Sequence, residues 1–186
     1  AASDVYKRQP EGLPVVATAG DKQVESLGAG AFTPEEAVIS YGTMASLSVM
    51  MDKAVSDRKF KFNTFPSALE KRWNAEFNIY RGYWLITWFC RQYTGRDDNH
   101  GEFLREMDEA AQHVPAGSNG LFLFPFFTPH EGFYPRGKGA IFGLTDAHHR
   151  ADIFRCFLEG IAFAMRQGLD VIEKASKQQP KRVVVC

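Results

Sequence analysis

Val38-Ile39-Ser40-Tyr41-Gly42-Thr43, with Ser46-Leu47-Ser48-Val49-Met50-Met51 close behind, is the stretch on which the fold class turns. Ala37 to Tyr41 and Ser46 to Met51 read as two strands joined at the Gly42-Thr43 turn, a hairpin signal. Upstream, Pro14 to Ala19 is a short apolar strand that stops at Gly20, and Gly28 to Pro34 is loop-like, as a joint between two domains would be. Downstream, Lys59 to Asn63 alternates charge with Phe, as an exposed strand does. From Glu76 to Tyr93 apolar residues fall on almost every side, which predicts a helix buried between other elements. Glu102 to His113 is amphipathic, with Pro115 and Gly117 ending it. Leu121 to Phe127 and the shorter Ala140 to Leu144 are apolar runs between turn residues, hence buried strands.

The longest periodic segment runs from about Arg150 to Lys177. Phe154, Phe157, Leu158, Ile161, Met165, Leu169 and Ile172 form one stripe at helical spacing. Gly160 lies inside it at a cost of ~1 kcal/mol relative to Ala, so a close backbone contact is expected there. Pro180 closes the helix. Arg182 to Cys186 then reads as a buried, parallel-type strand that stops abruptly, without connection to sheet neighbours. The chain is therefore mixed α/β.

Bulk properties bound the function. At 186 residues there is room for one domain and part of another. A net charge of zero leaves no electrostatic footprint for nucleic acid or an anionic membrane, so neither is an expected partner. No apolar run approaches the ~20 residues that span a bilayer. Sixteen Phe point to a well-filled core. Cys90, Cys156 and Cys186 are odd in number and lack metal-type pairing, which reads as reduced thiols in a cytoplasmic protein.

Chemistry concentrates in Ala17-Thr18-Ala19-Gly20-Asp21-Lys22-Gln23 and the Gly42-Thr43 turn. A carboxylate that accepts a hydroxyl proton and a backbone turn that holds phosphate are two parts that phosphoryl transfer needs. Each alone is ordinary turn chemistry; their order, spacing and flanks carry the signal. His148 and His149 are adjacent rather than one helical turn apart, so they make poor joint metal ligands. Packing at a helix start or solvent exposure suits them better. His130 and Glu131 are assigned no chemistry.

Four segments resemble the FGGY family of carbohydrate kinases, the group of glycerol kinase and xylulokinase. Ala19-Gly20-Asp21-Lys22-Gln23 resembles the family's Gly-Asp-Gln-Gln element, and Ser40-Tyr41-Gly42-Thr43 its Tyr-Gly-Thr turn. Gly120 to Pro125 with Gly139 to Thr145 resembles the segment that opens the family signature. Leu158-Glu159-Gly160-Ile161-Ala162-Phe163 resembles the Leu-Glu-Gly-Ile-Ala-Phe motif of the long helix, where Glu159-Gly160 is read as structural. The resemblance implies part of an actin-like ATPase, ribonuclease H-like fold, a mixed sheet with flanking helices. It implies a foreign leader over 1–9, the end of the family's N-terminal domain over 10–33, and a truncated C-terminal, nucleotide-binding domain over 34–186.

The activity implied is ATP-dependent phosphorylation of a sugar or polyol hydroxyl. Asp21 would be the catalytic base and would hold Mg²⁺ through water. Asp21, Lys22 and Gln23 would touch the substrate, and Gly42, Thr43, Gly82 and Thr87 the ATP. Lys22 stands where the family has an amide, and Thr87 near another amide position, so both depart from the pattern. Core packing is the competing role for Tyr83, Trp84 and Trp88. ATP and Mg²⁺ are the implied cofactors, and the implied assembly admits a homodimer. The family's first phosphate turn and its Gly-Gly-Gly-Ala element lie outside the chain, so the fragment is expected to be inactive alone. The alternative is a non-catalytic actin-like protein that binds nucleotide or a partner, which would not need the Asp21 carboxylate.

Overall fold

In the structure, a computed structural model, residues 12, 14, 19–96, 100–129 and 135–186 are described. Two strands form where the hairpin was expected. β1 (Glu36–Tyr41) and β2 (Ala45–Met51) pair antiparallel, with Ile39 opposite Leu47 and Ser40 opposite Ser46. β4 (Trp73–Ile79) pairs antiparallel with β2, placing Phe77 opposite Leu47 and Glu76 opposite Ser48. β3 (Asn63–Pro66) lies outside β4, and β7 (Arg182–Val185) runs parallel to β1 at the other edge. The five-stranded order is β3-β4-β2-β1-β7.

Because side chains alternate along a strand, register divides this sheet into two unlike faces. Ala37, Ile39, Leu47, Val49, Ala75, Phe77 and Ile79 share the apolar one. Ser40, Ser46, Ser48, Asn74, Glu76 and Asn78 share the other, where Val38 and Met50 are the apolar exceptions. The apolar face receives α4 (Arg150–Ser176), whose inner stripe includes Phe154, Phe157, Ile161, Met165, Leu169 and Ile172. α2 (Trp84–Thr94) and α3 (Gly101–Gln112) pack on α4 in turn. Phe89 of α2 lies 5.3 Å from Phe154 and 5.6 Å from Phe157, ring centre to ring centre. β5 (Phe122–Phe124) and β6 (Ala140–Phe142) form a separate antiparallel pair. β5 meets α4 at Gly160, where an added Cβ would stand 2.6 Å from Leu123 Cβ. That is the close contact expected of this glycine. The polar face receives α1 (Asp21–Gly28), with Gln23 and Ser26 buried.

Five local expectations are corrected. The run from Glu76 to Tyr93 is not one buried helix: its first part completes β4, and Tyr80 to Tyr83 turn the chain into α2. The segment 59–63 is not a strand, because Phe60 takes φ 52° and the strand starts only at Asn63. Asp21 opens a helix, with Gly20 as its N-cap, rather than sitting on a free turn. The apolar runs 121–127 and 140–144 supply only three-residue strands, and Phe122 and Phe142 are exposed. Val183 and Val185 are exposed too, and their strand does have a neighbour in β1. The expected strand from Pro14 to Ala19, the leader over 1–9 and the pair His130-Glu131 lie mostly or wholly outside the described residues.

Helix α4 is seated on the sheet by a second glycine. A Cβ on Gly168 would lie 2.3 Å from Cδ1 and 2.4 Å from Cγ of Phe77, a fully buried ring. Overpacking of this kind costs about 1–3 kcal/mol, against about 1 kcal/mol gained in helix propensity. Gly168→Ala is thus expected to destabilise the chain by up to roughly 2 kcal/mol, read as a lower urea midpoint at unchanged slope. An unchanged or raised midpoint would show that the ring moves freely.

Candidate functional site

Asp21 is the first residue of α1 and is exposed, so its carboxylate lies at the positive end of the helix. Its Oδ1 accepts from the Lys22 N–H at 2.8 Å. The neighbouring side chains are less free. Lys22 Nζ donates to Glu25 Oε2 at 2.6 Å and to Ser40 Oγ at 3.3 Å, which ties α1 to β1 just before Gly42. Hydrogen bonding of the Glu25 carboxyl to Lys22, and next to Ser40, holds it below its ordinary range. Gln23 is buried and donates from Nε2 to Glu76 Oε1. Of the three expected substrate contacts, only Asp21 presents an exposed functional group.

Gly42 and Thr43 form the exposed turn between β1 and β2, with the Gly42 N–H bonded to Met44 O at 3.3 Å. No hydrogen bond within the described residues engages the Thr43 hydroxyl. From behind, the Trp84 N–H reaches Thr43 O at 3.5 Å. Gly82 sits beside the same hairpin: an added Cβ would fall 2.3 Å from Ala45 Cβ and 2.6 Å from Ala45 N. The structure thus brings together three of the four expected ATP contacts, Gly42, Thr43 and Gly82. Thr87 lies further along α2, half-buried, with no side-chain hydrogen bond to the turn among the described residues. Tyr83 packs on Tyr41 at 5.8 Å, and Trp88 stacks on Phe157 at 6.0 Å, as core residues do.

Sequence reasoning missed Glu76. It is only 6% exposed, and burial, followed by the charge of Asp21, pushes its carboxyl up to about 7. Phe65, Pro66, Ser67 and Ala68 were missed as well; with Ala19, Gly20 and Gln23 they line an open cavity of about 540 Å³. Alternation through Asn74, Glu76 and Asn78 is the signal that would have put Glu76 on a strand. His149, by contrast, does sit at a helix start, its N–H donating to Asp152 Oδ2 at 2.7 Å. All three cysteines are unpaired, with Cys90 and Cys156 buried. Among the described residues no helix is long and apolar enough to cross a membrane.

The chain is similar to known proteins in sequence and fold. The chain belongs to the FGGY family of carbohydrate kinases: the model of that family's C-terminal domain matches residues 37–186. It is 32% identical over 185 residues to the uncharacterized sugar kinase YgcE of Escherichia coli (strain K12), covering 95% of this chain and 37% of that protein. It is 30% identical over 190 residues to glycerol kinase of Pseudomonas fluorescens (strain Pf0-1), covering 100% and 37%. The crystal structure of xylulose kinase from Rhodospirillum rubrum superposes with a TM-score of 0.82 at 24% identity, over 98% of this chain and 36% of that one. Plasmodium falciparum glycerol kinase with ADP superposes with a TM-score of 0.73 at 22% identity, over 90% and 33%. These two show the fold, which is part of the actin-like ATPase architecture. The chain spans just over a third of the length of the curated relatives it matches.

The raised Glu76 carboxyl has a stability consequence. A folded value near 7 against an ordinary 4.5 means that the folded state holds the extra proton. The stability this contributes is present below pH 4.5 and is lost as pH rises through 7. Glu76→Gln removes the loss, so at about pH 8 the variant is expected to exceed the wild type by up to about 3 kcal/mol, and near pH 4.5 to differ little. Urea titrations at the two pH values measure this; equal differences at both would place Glu76 in ordinary solvent.

Proposed function

We propose that the protein containing this chain transfers the γ-phosphoryl group of ATP in line to a hydroxyl of a sugar or polyol, with Asp21 as base. One observation carries the reading: the exposed Asp21 carboxylate opens a helix bonded through Lys22 to Ser40, on the strand that leads into the exposed Gly42-Thr43 turn. Asp21 orients the acceptor hydroxyl and takes its proton as the new oxygen–phosphorus bond forms and the bond from the γ-phosphorus to the β,γ-bridging oxygen breaks, with ADP as the leaving group. The turn amides and the Thr43 hydroxyl donate to phosphate oxygens, and the bare Cα of Gly42 lets them approach. ATP would supply the phosphoryl group, and Mg²⁺, held by Asp21 through water, would neutralise its charge. A single exposed carboxylate suits Mg²⁺, which keeps several waters and is bound by one or two carboxylates plus phosphates.

In this reading residues 10–33 end the family's N-terminal domain and 34–186 are the nucleotide-binding domain. Lys22 and Gln23 shape the floor beside Asp21 more than they touch the acceptor, since protein groups already hold both. Residues following Cys186 in a longer chain would emerge beside Tyr41, whose N–H bonds to Cys186 O at 3.0 Å, and so next to the phosphate turn. The compartment we propose is the cytoplasm, where unpaired thiols persist.

Asp21→Asn, made in a protein completed to the length of its relatives, is expected to lower kcat by about 10²–10⁴-fold with the KM for ATP nearly unchanged. Steady-state assays over a panel of pentuloses, polyols and aldonates measure this and identify the acceptor. Full turnover by the variant would remove Asp21 from the mechanism.

A further inference from the structure

The polar face of the main sheet is buried, although nothing about its composition favours burial. Ser46, Ser48, Asn74 and Glu76 all lie below a tenth exposed. Burying such groups costs free energy unless they find partners. Helix α1 meets this face with polar residues of its own: Gln23 and Ser26 point inward, while Val24 is 43% exposed. An ordinary surface helix does the reverse. Between the two polar surfaces the described hydrogen bonds are few, and one of them is fully buried: Gln23 Nε2 donates to Glu76 Oε1.

The other end of the same carboxamide lies against the helix start. Gln23 Oε1 lies over Gly20, 2.2 Å from the place where a Cβ would stand. Gly20 has φ −62°, which any residue adopts, so what the position needs is the missing side chain rather than a special backbone. The carboxamide therefore bridges the N-cap of the helix that carries Asp21 and the centre of strand β4. The Gln23 N–H also bonds to Gly20 O at 3.1 Å, closing the first turn.

We propose that Glu76 is a positioning residue for phosphoryl transfer: it holds the Gln23 carboxamide, and through it the first turn of α1 and Asp21, in register with the sheet that carries the Gly42-Thr43 turn. This rests on the function proposed above. The groups around Glu76 are consistent with an acceptor role in either protonation state. Asp21, Lys22 and Glu25 act on it from α1, and Lys61 lines the small cavity of about 60 Å³ on its other side. Its strand neighbours, Ser48 and Asn63, are neutral. As a carboxylate or as an acid, Glu76 keeps an oxygen that accepts from Gln23, and a glutamine there keeps one too.

A double-mutant cycle in the completed protein tests this. Gln23→Met and Glu76→Leu are each expected to lower kcat by about 100-fold, the scale of a misplaced reacting group, with the KM for ATP unchanged. The double variant should be no worse than either single one, and Glu76→Gln should stay within a few-fold of wild type. Multiplying effects, a Glu76→Gln variant as slow as Glu76→Leu, or a fully active Glu76→Leu would each overturn the proposal. Should Glu76→Leu fail to fold, Gly20→Ala displaces the same carboxamide without touching the strand, and full activity there is equally fatal. A second readout needs no catalysis. In ¹H–¹⁵N spectra of the 186-residue chain, the Gln23 side-chain NH₂ should be shifted and slow to exchange, and Glu76→Leu should return it to the free position. A free-position signal in the wild type overturns the proposal. A shifted signal in a wild-type protein that phosphorylates no acceptor sinks the kinase reading and this one with it, whereas an active wild type with indifferent variants sinks this one alone.

Discussion

The ring of Phe77 pressed against the bare Cα of Gly168 sets the distance between α4 and the main sheet, and most other packing follows from that distance. With α4 seated so close, Leu169 and Ile172 are buried together with the strand side chains Leu47 and Val49. The same helix presents Gly160 to Leu123, so one rod fixes both the five-stranded sheet and the small β5–β6 pair. Beside that contact, Glu159 accepts from the Gly117 N–H at 3.1 Å and the Ser118 hydroxyl at 2.8 Å, with Arg155 Nε at 2.8 Å. The Leu-Glu-Gly motif is thereby explained without ligand chemistry: the glutamate ties down the turn ahead of β5, and the glycine makes room for the strand itself.

Two kinds of contact hold α1 on the opposite face, and their magnitudes differ. Lys22 Nζ reaches Ser40 Oγ on β1 at 3.3 Å, a long and partly exposed contact, while its pair with Glu25 lies within α1 and adds roughly 0–1 kcal/mol to the helix alone. The Gln23–Glu76 contact is buried on both sides, so losing one partner leaves the other unsatisfied at a cost of about 1–3 kcal/mol. The placement of Asp21 therefore depends more on a neutral amide two residues along than on the lysine next to it.

What was legible in the sequence was legible because one physical signal acted alone. The β1–β2 hairpin has clean strands and a Gly-Thr turn; α3 and α4 have long 3.6-residue stripes and clear stops. Where two signals overlapped, the reading failed. Asn74, Glu76 and Asn78 alternate with Ala75, Phe77 and Ile79, but the polar members are mostly buried, and the apolar run continues into Trp84 and Leu85. Strand and helix merged into one apolar stretch. Helix α1 was hidden for a related reason: it is short, and its polar side faces in. Val183, Val184 and Val185 read as core, yet β7 is an edge strand, and only β1 lies beside it in the described residues. At the site, Asp21, Gly42 and Thr43 stood out from local motifs. Glu76 could not, because its meaning depends on the register of β4 and on a helix some fifty residues away in sequence.

The Gly42-Thr43 turn, the proposed phosphate site, shows how packing can prepare a site without occupying it. Gly82 has no side chain because Ala45 fills that space, and this lets the start of α2 lie against the hairpin. The Trp84 N–H, one of the donors a helix leaves unpaired at its start, is directed at Thr43 O. Thr43 itself stays exposed at the turn. Tyr41 and Tyr83, near the turn in the chain, pack as a tilted aromatic pair. Gly82 thus needs no contact with nucleotide to matter to the proposed nucleotide site. Any side chain there would push α2 off the hairpin and release the Thr43 carbonyl, and with it the orientation of the hydroxyl that the reaction is proposed to use.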